Sequence, residues 1–443
     1  MYGCPGQEIF FPHCEKTHLD QLSISKVEYL PADRVYAIGT SADLLRGDAD
    51  RQNPYNLPFI SVTRPMLRFL SLLLPFLAMF VALSAQAQLA APPVAIAARS
   101  WYLYDYNSGQ ELISTNPDER IEPASLTKLM TAYLAFAAIK QGSLKLNQTV
   151  PVSERAWRTQ GSRMFIEPNK PVTVDELLRG MIVQSGNDAC IALAEIIAGT
   201  EDGFAQLMNR EAQRLGLKNT QFRNSTGLPD PQHYSTARDL AQLATALIRD
   251  FPEFYPLYSI KEFRYNNITQ PNRNRLLWSD PHVDGVKTGH TDAAGYCLIA
   301  SAKRDSRRLL SVVIGTSSEA ARASESARLL DHGFRYFDGV KIYTGGQVVS
   351  QLPVYKGVKG TVKAGFTSDF MLSVPKGQGN QLKVQLISQQ PLLAPIGAGA
   401  RVATLKLFLG DKPLGDYPVV ALEAVPVAGI FGRAWDTLRL WFE

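Results

Sequence analysis

Hydrophobic and polar positions change their spacing several times along the chain, and each spacing predicts a different element. Residues 99–106 (RSWYLYDY) alternate aromatic and polar side chains and run into N-S-G, which predicts a strand followed by a hairpin turn. Residues 123–140 are apolar at helical spacing, which predicts a helix. Residues 174–197 predict two helices separated by a short S-G-N interruption, and the second is rich in alanine, isoleucine and leucine.

The later segments complete the predicted architecture. Strand-like runs at 295–302 and 309–315 precede a helical pattern over 320–332. Helices in the middle with strands at both ends indicate an α+β domain over 88–340, in which helices pack on an antiparallel sheet. Over 345–426, short β-type runs alternate with glycine, proline and lysine, which predicts a separate, small all-β domain.

The last fifteen residues, 429–443 (GIFGRAWDTLRLWFE), form one more amphipathic pattern. Helical spacing gathers the apolar residues on one side, while Arg433, Asp436 and Arg439 fall opposite or at the edges. Such a helix, with two tryptophans and two phenylalanines, is typical of one that lies in a membrane interface. The alternative is a helix packed on the β domain. The apolar residues are Ile430, Phe431, Ala434, Trp435, Leu438, Trp441 and Phe442.

A secretion signal is predicted over residues 66–87 (MLRFLSLLLPFLAMFVALSAQA). Arg68 supplies its positive charge, the apolar stretch follows, and A-Q-A is a small-x-small cleavage site that leaves Gln88 at the mature N-terminus. The alternative, a transmembrane helix, is disfavoured by Pro75 and by the small residues at the end. Because signal peptides begin a chain, we expect translation to start at Met66 and residues 1–65 to be an extension without structure or function.

Composition and charge exclude several classes of function. The chain has 443 residues, 45% of them hydrophobic, so it can bury a large core and more than one domain. The net charge of +5 is mild, and no lysine or arginine block interleaves with aromatics, so we expect no nucleic-acid binding. Neither a disulfide framework nor H-E-x-x-H occurs, and we expect no metal. The cysteines are Cys4, Cys14, Cys190 and Cys297, and the histidines are His13, His18, His233, His282, His290 and His332.

Three short motifs carry the candidate chemistry. They are S-L-T-K, beginning at Ser125, then S-G-N, beginning at Ser185, and finally K-T-G, beginning at Lys287. Each is weak alone, because an isolated S-x-x-K is usually a helix-capping serine with a surface lysine. Together, in this order and in these contexts, they indicate a serine enzyme of acyl transfer.

The spacing of the first motif has a chemical reason. Ser125 is expected at the start of a helix, where Lys128, three residues later, lies on the same face and reaches the serine hydroxyl. That hydroxyl is a poor nucleophile until a neighbour takes its proton. Lysine does so only as the neutral amine, which requires burial and nearby positive charge, and we expect Lys287 to supply that charge.

The other two motifs are expected to handle protons and substrate. Ser185 and Asn187 would lie in a loop between helices, where a hydroxyl can relay a proton and an amide can hold substrate; the alternative is a helix cap. Lys287, Thr288 and Gly289 would begin a strand and offer donors for a carboxylate. The backbone N–H groups of Ser125 and of the residue after K-T-G are candidate oxyanion donors.

S-L-T-K, S-G-N-D-A and K-T-G-H-T together resemble the penicillin-binding serine D-alanyl-D-alanine carboxypeptidases of low molecular mass. The resemblance covers nearly all of residues 66–443. It implies a β-lactamase/transpeptidase-like domain, then the all-β domain and a terminal anchoring helix over 429–443. It implies an exported enzyme, peripheral on the periplasmic face of the cytoplasmic membrane. The implied reaction removes the terminal D-alanine from peptidoglycan stem pentapeptides through an acyl-serine, and β-lactam antibiotics bind at the same serine.

The resemblance also implies roles for individual residues. Ser125 forms the acyl-enzyme, Lys128 is the general base, and the second motif supplies Ser185 as proton relay together with Asn187. Lys287, Thr288, Gly289 and His290 line the substrate edge, and no cofactor or metal is needed. An arginine that contacts the substrate carboxylate is best matched by Arg322, although the flanking A-A-R-A-S-E-S departs from the family's usual pattern.

Three rival functions remain open. A class A β-lactamase shares S-x-x-K and K-T-G but normally has S-D-N, where Gly186 stands here, and needs a positioned glutamate. An endopeptidase of related fold uses the same motifs to cut peptidoglycan crosslinks, but it usually lacks the β domain. A wall-binding scaffold with a relict site would lack a motif residue, and none is missing.

Overall fold

The computed structural model describes residues 91–388 and 390–441, together with the short strand Val35–Ala37. The predicted signal peptide over 66–87 and the predicted start at Met66 lie outside the described residues. The expectation that residues 1–65 have no structure was wrong for Val35–Ala37, which pairs with the strand Leu382–Ile387. The chain divides into two compact units. The larger unit contains residues 91–344 and Ser368–Asn380, and the smaller unit contains Gly345–Thr367, residues 381–441 and that strand.

The larger unit is built on a five-stranded sheet in which every neighbouring pair is antiparallel. The predicted hairpin after residues 99–106 is confirmed, with Gly109 at φ +72° in its turn, a conformation that favours glycine. The strands lie in the order Gln110–Thr115, Ser100–Asp105, Arg307–Thr316, Gly295–Arg304 and Val283–Thr291.

Alternate side chains of this sheet enter two hydrophobic clusters, as the period of two in a strand requires. Tyr102 and Ile299 belong to the larger cluster, which is formed with most of the helices. Leu103 and Leu298 belong to a smaller cluster that includes Leu329 of the helix Glu319–Tyr336. The predicted α+β fold, with helices packed on an antiparallel sheet, is therefore confirmed.

Helices of the larger unit begin at side-chain caps in several places. Thr173 forms a capping box with Glu176, and the hydroxyls of Thr236 and Ser318 each accept a first-turn N–H. The α-helices are Lys128–Lys140, Glu154–Arg158, Val174–Val183, Asn187–Ala198, Glu201–Arg214, Ala237–Asp250, Leu276–Ser279 and Glu319–Tyr336. Two 3-10 turns, Ala124–Thr127 and Tyr255–Ser259, and two small hairpins, Thr149–Val150 with Val172–Thr173 and Glu262–Tyr265 with Ile268–Pro271, complete the unit.

The K-T-G run lies inside a strand, and the prediction that it begins one was wrong. The strand Val283–Thr291 is at the edge of the sheet and is called the edge strand below. The strand begins at Val283, before the expected start at Lys287, and a bulge lies between Val283 and Gly285. The Asp284 carboxylate is neutralised by Arg308 at 2.7 Å. This places Lys287 in the middle of the edge strand.

The smaller unit is a mixed sheet, and the predicted all-β fold is confirmed. The segment Phe370–Pro375, which the sequence assigns to this domain, instead pairs with Phe337–Tyr343 in the larger unit. A 3-10 turn, Gly379–Gln381, precedes one of the strands. The strand order is Val35–Ala37, Leu382–Ile387, Arg401–Leu409, Lys412–Ala421, Thr361–Gly365, Val348–Tyr355 and Leu392–Leu393.

The terminal helix, Ile430–Arg439, faces the sheet of the smaller unit with its polar side. Asp436 accepts a hydrogen bond of 2.5 Å from the backbone N–H of Lys356, and the Arg439 guanidinium lies 5.7 Å from the ring centroid of Tyr355. The apolar side chains point away, and Phe431 is 93% exposed. Among the described residues, every helix is too short or too polar to cross a bilayer.

Candidate active site

Ser125 lies in the 3-10 turn Ala124–Thr127, which leads directly into the helix Lys128–Lys140. The sequence had predicted a position in the first turn of the α-helix. Because residues three apart lie directly above one another in a 3-10 turn, the S-x-x-K spacing still brings the two side chains together. The Nζ atom of Lys128 is 2.9 Å from the Oγ atom of Ser125.

Lys128 is buried, and its Nζ atom has two further oxygen neighbours. These are Oδ1 of Asn187 at 2.7 Å and the backbone carbonyl oxygen of Thr226 at 2.6 Å. Burial is the main cause that lowers the pKa of Lys128 to about 8, and the charge of Arg273 lowers it further. At pH 7 roughly a tenth of the Lys128 side chains are therefore neutral, where almost none would be at an ordinary lysine.

Lys287 and Lys128 interact electrostatically, and the expectation that Lys287 supplies the positive charge next to Lys128 stays a prediction. Lys287 is itself buried, and burial together with the charge of Lys128 holds the pKa of Lys287 well below its usual value. The cation that acts on both lysines is Arg273, which is exposed.

Ser185 lies between two helices, as predicted, whereas Asn187 belongs to the second helix and not to the loop. Asn187 is the first residue of the helix Asn187–Ala198; its backbone N–H donates to the Ser162 carbonyl at 2.7 Å, and its Nδ2 donates to the Gln160 carbonyl at 2.6 Å. These bonds turn Oδ1 toward Lys128. Ser185 adopts φ +69°, an unusual conformation for a serine, and its Oγ is 2.9 Å from the Nζ atom of Lys287.

Gly289 brings the edge strand close to the turn that carries Ser125. A Cβ atom at Gly289 would lie 3.2 Å from the Pro123 carbonyl oxygen and 3.3 Å from atoms of Ala124 and Leu126. These distances are shorter than ordinary van der Waals contacts, so a glycine fits best here. The K-T-G strand and the serine turn therefore form two sides of one cleft.

His290 and Arg322 lie beside the end of K-T-G, on either side of one tyrosine. The His290 ring is exposed and packs 4.0 Å from the ring centroid of Tyr296, and the Arg322 guanidinium lies 5.6 Å from the same ring. Arg322 is buried; it donates to the Gly289 carbonyl at 3.4 Å and to the Glu319 carboxylate at 3.3 Å. Every residue that the three motifs nominated thus lies around one cleft, and Arg322 lies against its edge strand.

Comparison with known proteins agrees with this geometry. Residues 86–318 match the family described as "D-alanyl-D-alanine carboxypeptidase". The chain belongs to the D-alanyl-D-alanine carboxypeptidase family. Residues 337–427 match a second family, described as "Penicillin-binding protein 5, C-terminal domain".

Individual relatives of this carboxypeptidase family match over most of their length. The D-alanyl-D-alanine carboxypeptidase DacC of Escherichia coli is 42% identical over 376 residues, which are 83% of this chain and 94% of the relative. DacA of Haemophilus influenzae is 43% identical, over 82% of this chain and 96% of that protein. The crystal structure of penicillin-binding protein 5 from Haemophilus influenzae superposes with a TM-score of 0.73 at 42% identity, covering 76% of this chain and all of that one.

Sequence reasoning missed three groups in the site of this carboxypeptidase family member. The Thr226 carbonyl gives no signal, because any residue carries one. Arg273 lies in an unremarkable polar loop. Asp188, which follows S-G-N, accepts backbone N–H bonds from residues 164, 165 and 166 at 2.8 to 3.2 Å, and so fixes the segment next to Asn187. Its position directly after the motif is the signal that could have found it.

Proposed function

We propose that this chain is a serine D-alanyl-D-alanine carboxypeptidase that removes the terminal D-alanine from peptidoglycan stem pentapeptides. The observation that carries the proposal is the buried Lys128 amine, with a pKa of about 8, at 2.9 Å from the Ser125 hydroxyl. Membership of the carboxypeptidase family supports the substrate. The match of residues 337–427 favours this function over that of an endopeptidase, which usually lacks the β domain.

The hydrogen bonds around Lys128 give the first step its direction. A neutral amine has two N–H groups and one lone pair, whereas the Thr226 carbonyl and the Asn187 side-chain oxygen can only accept. Both N–H groups are therefore used, and the lone pair points at the Ser125 hydroxyl. In this proposal Lys128 takes the hydroxyl proton as Ser125 Oγ attacks the carbonyl carbon of the penultimate D-alanine.

The developing negative charge and the leaving group need separate partners. The backbone N–H groups of Ser125 and His290 are proposed to hold the oxyanion. Ser185 Oγ accepts a bond from Lys287, so its own hydrogen is free to pass to the departing D-alanine nitrogen. The proton that Lys128 took from Ser125 then replaces the hydrogen on Ser185, which leaves Lys128 neutral again for the second half of the reaction. Water then attacks the acyl-serine while Lys128 takes a proton from it, which releases the shortened peptide and restores Ser125.

The substrate carboxylate is proposed to bind beside the edge strand, where Lys287, Thr288, His290 and Arg322 lie. Penicillins are proposed to acylate Ser125 in the same cleft. Penicillin-binding protein D2 from Listeria monocytogenes, which is 30% identical with a TM-score of 0.51 over 55% of this chain, has been solved in an ampicillin-bound form. That relative supports the proposal for the larger unit.

We also propose that the protein is exported by residues 66–87 and acts on the periplasmic face of the cytoplasmic membrane. The terminal helix supports the membrane contact, because its polar side faces the sheet while Ile430, Phe431 and Trp435 point outward. An outward apolar face favours lipid over packing on the β domain. The enzyme would then be a peripheral membrane protein.

The activity is tested with the purified protein and its Ser125→Ala variant, each incubated with pentapeptide monomers and with crosslinked dimers. Mass spectrometry identifies the products. Loss of one alanine from the monomers, dependent on Ser125, is the expected result. Splitting of dimers while pentapeptides persist would make the protein an endopeptidase.

A further inference from the structure

His233 is a buried histidine to which the three motifs assign no role. It lies just before the bridge that joins Tyr234 to Gln221, far along the chain from Ser125. The side chain is 3% exposed, and its ring packs edge-on against Phe222, with the ring centroids 5.7 Å apart. A buried imidazole needs hydrogen-bond partners for both nitrogens, and both are present here.

The two partners determine which nitrogen carries the hydrogen. The backbone N–H of Arg223 donates to Nδ1 of His233 at 3.4 Å, and Nε2 lies 2.9 Å from the Thr127 hydroxyl oxygen. Because a backbone N–H can only donate, Nδ1 must be unprotonated. Nε2 therefore carries the hydrogen and donates it to Thr127, so His233 is neutral with a fixed tautomer.

Thr127 lies between the two reacting groups. It is the last residue of the 3-10 turn that carries Ser125, and Lys128 follows it directly. Its buried hydroxyl does not cap the helix that begins there, although threonine commonly does so. The hydroxyl contacts His233 instead, which ties the turn to a separate part of the chain.

The same part of the chain also binds the start of the helix Lys128–Lys140 at two points. The Lys128 Nζ atom is bound by the Thr226 carbonyl at 2.6 Å, and the Thr131 hydroxyl donates to the Ser225 carbonyl at 2.6 Å. Gly227 is needed between them, since a Cβ there would lie within 1.7 Å of the Ala124 carbonyl oxygen. The segment 225–233 therefore contacts both the turn and the start of the helix that follows it.

We propose that His233 is a positioning residue for acyl transfer: its neutral imidazole fixes Thr127 and thereby the distance between Ser125 Oγ and Lys128 Nζ. The inference rests on the proposed function. Reacting groups displaced by about 1 Å can lose about 100-fold in rate. Loss of the His233 bond should therefore slow the acylation step more than it weakens substrate binding.

Protonation of His233 should break the bond from Arg223 that orients the ring toward Thr127. A proton on Nδ1 would face the Arg223 N–H, so one hydrogen bond would be lost and a charge would be buried. The charged groups that act on the ring are Asp230, which favours its protonation, and Arg223, which opposes it. Burial outweighs both and lowers the pKa of His233 to about 4, so the bond from Arg223 is intact at neutral pH and is lost in acid.

The test compares the full chain with Thr127→Val, His233→Leu, their double variant and His233→Gln. Glutamine can accept from the Arg223 N–H and donate to Thr127 without titrating, so it serves as the conservative rescue. Stopped-flow acylation by a fluorescent penicillin, and kcat and KM for a tripeptide ending in D-Ala-D-Ala, are measured between pH 4 and 9. Thermal unfolding of each variant is followed separately.

Thr127→Val and His233→Leu should each slow acylation roughly 10- to 100-fold at pH 7.5, with KM changed by less than about threefold. The double variant should be no slower than the slower single variant, because both remove the same bond. His233→Gln should recover most of the rate, and its rate relative to the unsubstituted protein should rise below about pH 5.

Unchanged acylation in Thr127→Val would overturn the inference, even if His233→Leu fails to fold, because valine keeps the shape of threonine. A lower unfolding temperature in Thr127→Val and His233→Leu, with an unchanged acylation rate in both, would show that His233 only stabilises the fold. That result would also overturn the inference. Neither result touches the proposed function. That function fails separately, if the unsubstituted protein forms no Ser125 adduct and releases no D-alanine.

Discussion

The side-chain oxygen of Asn187 lies 2.7 Å from the Nζ atom of Lys128, and the amide is held in that orientation by the Gln160 carbonyl. A carboxylate at the same place would attract the protonated amine and repel the Gln160 carbonyl. Asn187→Asp should therefore raise the pKa of Lys128 and slow acylation at pH 7.5 by about 100-fold or more. Acylation rates across pH test this. Asn187→Ala is the matched control, and an equal pH profile in the two variants would contradict the electrostatic cause.

The rate of acylation should rise with pH through about 8, where Lys128 loses its proton. The sign follows from the mechanism, because only the neutral amine can take the Ser125 proton. Lys128→Arg should lower the rate by roughly 1,000-fold or more at every pH, since arginine stays charged. Stopped-flow measurements of a penicillin adduct on both proteins provide the test. A flat profile for the unsubstituted protein between pH 6.5 and 9.5 would exclude Lys128 as the base.

Gly289→Ala should push the edge strand away from the serine turn. The added Cβ would lie 3.2 Å from the Pro123 carbonyl oxygen, which is backbone and cannot move aside easily. We expect a loss of about 1–3 kcal/mol in the free energy of unfolding and slower acylation. Gly360→Ala is the control, because a Cβ at Gly360 meets no atom within 4 Å. Denaturant unfolding should give a lower free energy of unfolding for Gly289→Ala than for Gly360→Ala. Equal values would show that the edge strand accommodates the added Cβ without destabilising the fold.

Membrane binding should depend on the outward side of the terminal helix. Replacing Phe431 and Trp435 by serine removes two large apolar side chains that are 93% and 67% exposed, so lipid contact should weaken strongly. Flotation with anionic lipid vesicles measures the bound fraction. Val358→Ser, at another exposed apolar position in the smaller unit, is the control and should bind as before. Equal flotation of all three proteins would place the lipid contact elsewhere.

His233 should also make the fold sensitive to acid. The pKa of His233 is lowered from 6.5 to about 4 in the folded protein, so the unfolded chain takes up the proton first as pH falls. Its contribution to stability is complete above pH 6.5, declines between pH 6.5 and 4, and is constant below 4. The loss should be about 3 kcal/mol. Denaturant unfolding at pH 7 and pH 4 tests this, and His233→Gln should lose correspondingly less over the same interval.

The sequence predicts the order of elements and the three motifs well, because these depend on local patterns. The hairpin after residues 99–106, the helices on either side of Ser185 and the antiparallel sheet all follow from spacing. Errors arise where a residue is stabilised by a distant partner. The strand that contains K-T-G begins at Val283 and not at Lys287, and its first residues are held by a bulge and by the contact between Asp284 and Arg308. The strand Phe370–Pro375 likewise pairs outside its expected domain.

In the site, too, the features set by local motifs are predicted and those set by distant residues are not. Ser125, Lys128, Ser185, Asn187 and Lys287 are found from the motifs, but the charge balance between the lysines is not. The pKa values of the two lysines depend on burial and on Arg273, which belongs to none of the three motifs. The contact from the Thr226 carbonyl could not be predicted either, because every residue has a backbone carbonyl. Electrostatic and backbone contributions therefore have to come from coordinates.

The bond between Asp436 and the backbone of Lys356 has a consequence for the protein in water. A helix bound by its polar side cannot roll over to hide its tryptophans when lipid is absent. The same face that favours the bilayer is then an adhesive surface in solution, where apolar patches promote self-association. The protein should therefore self-associate in solution without lipid, and a detergent should prevent this during purification.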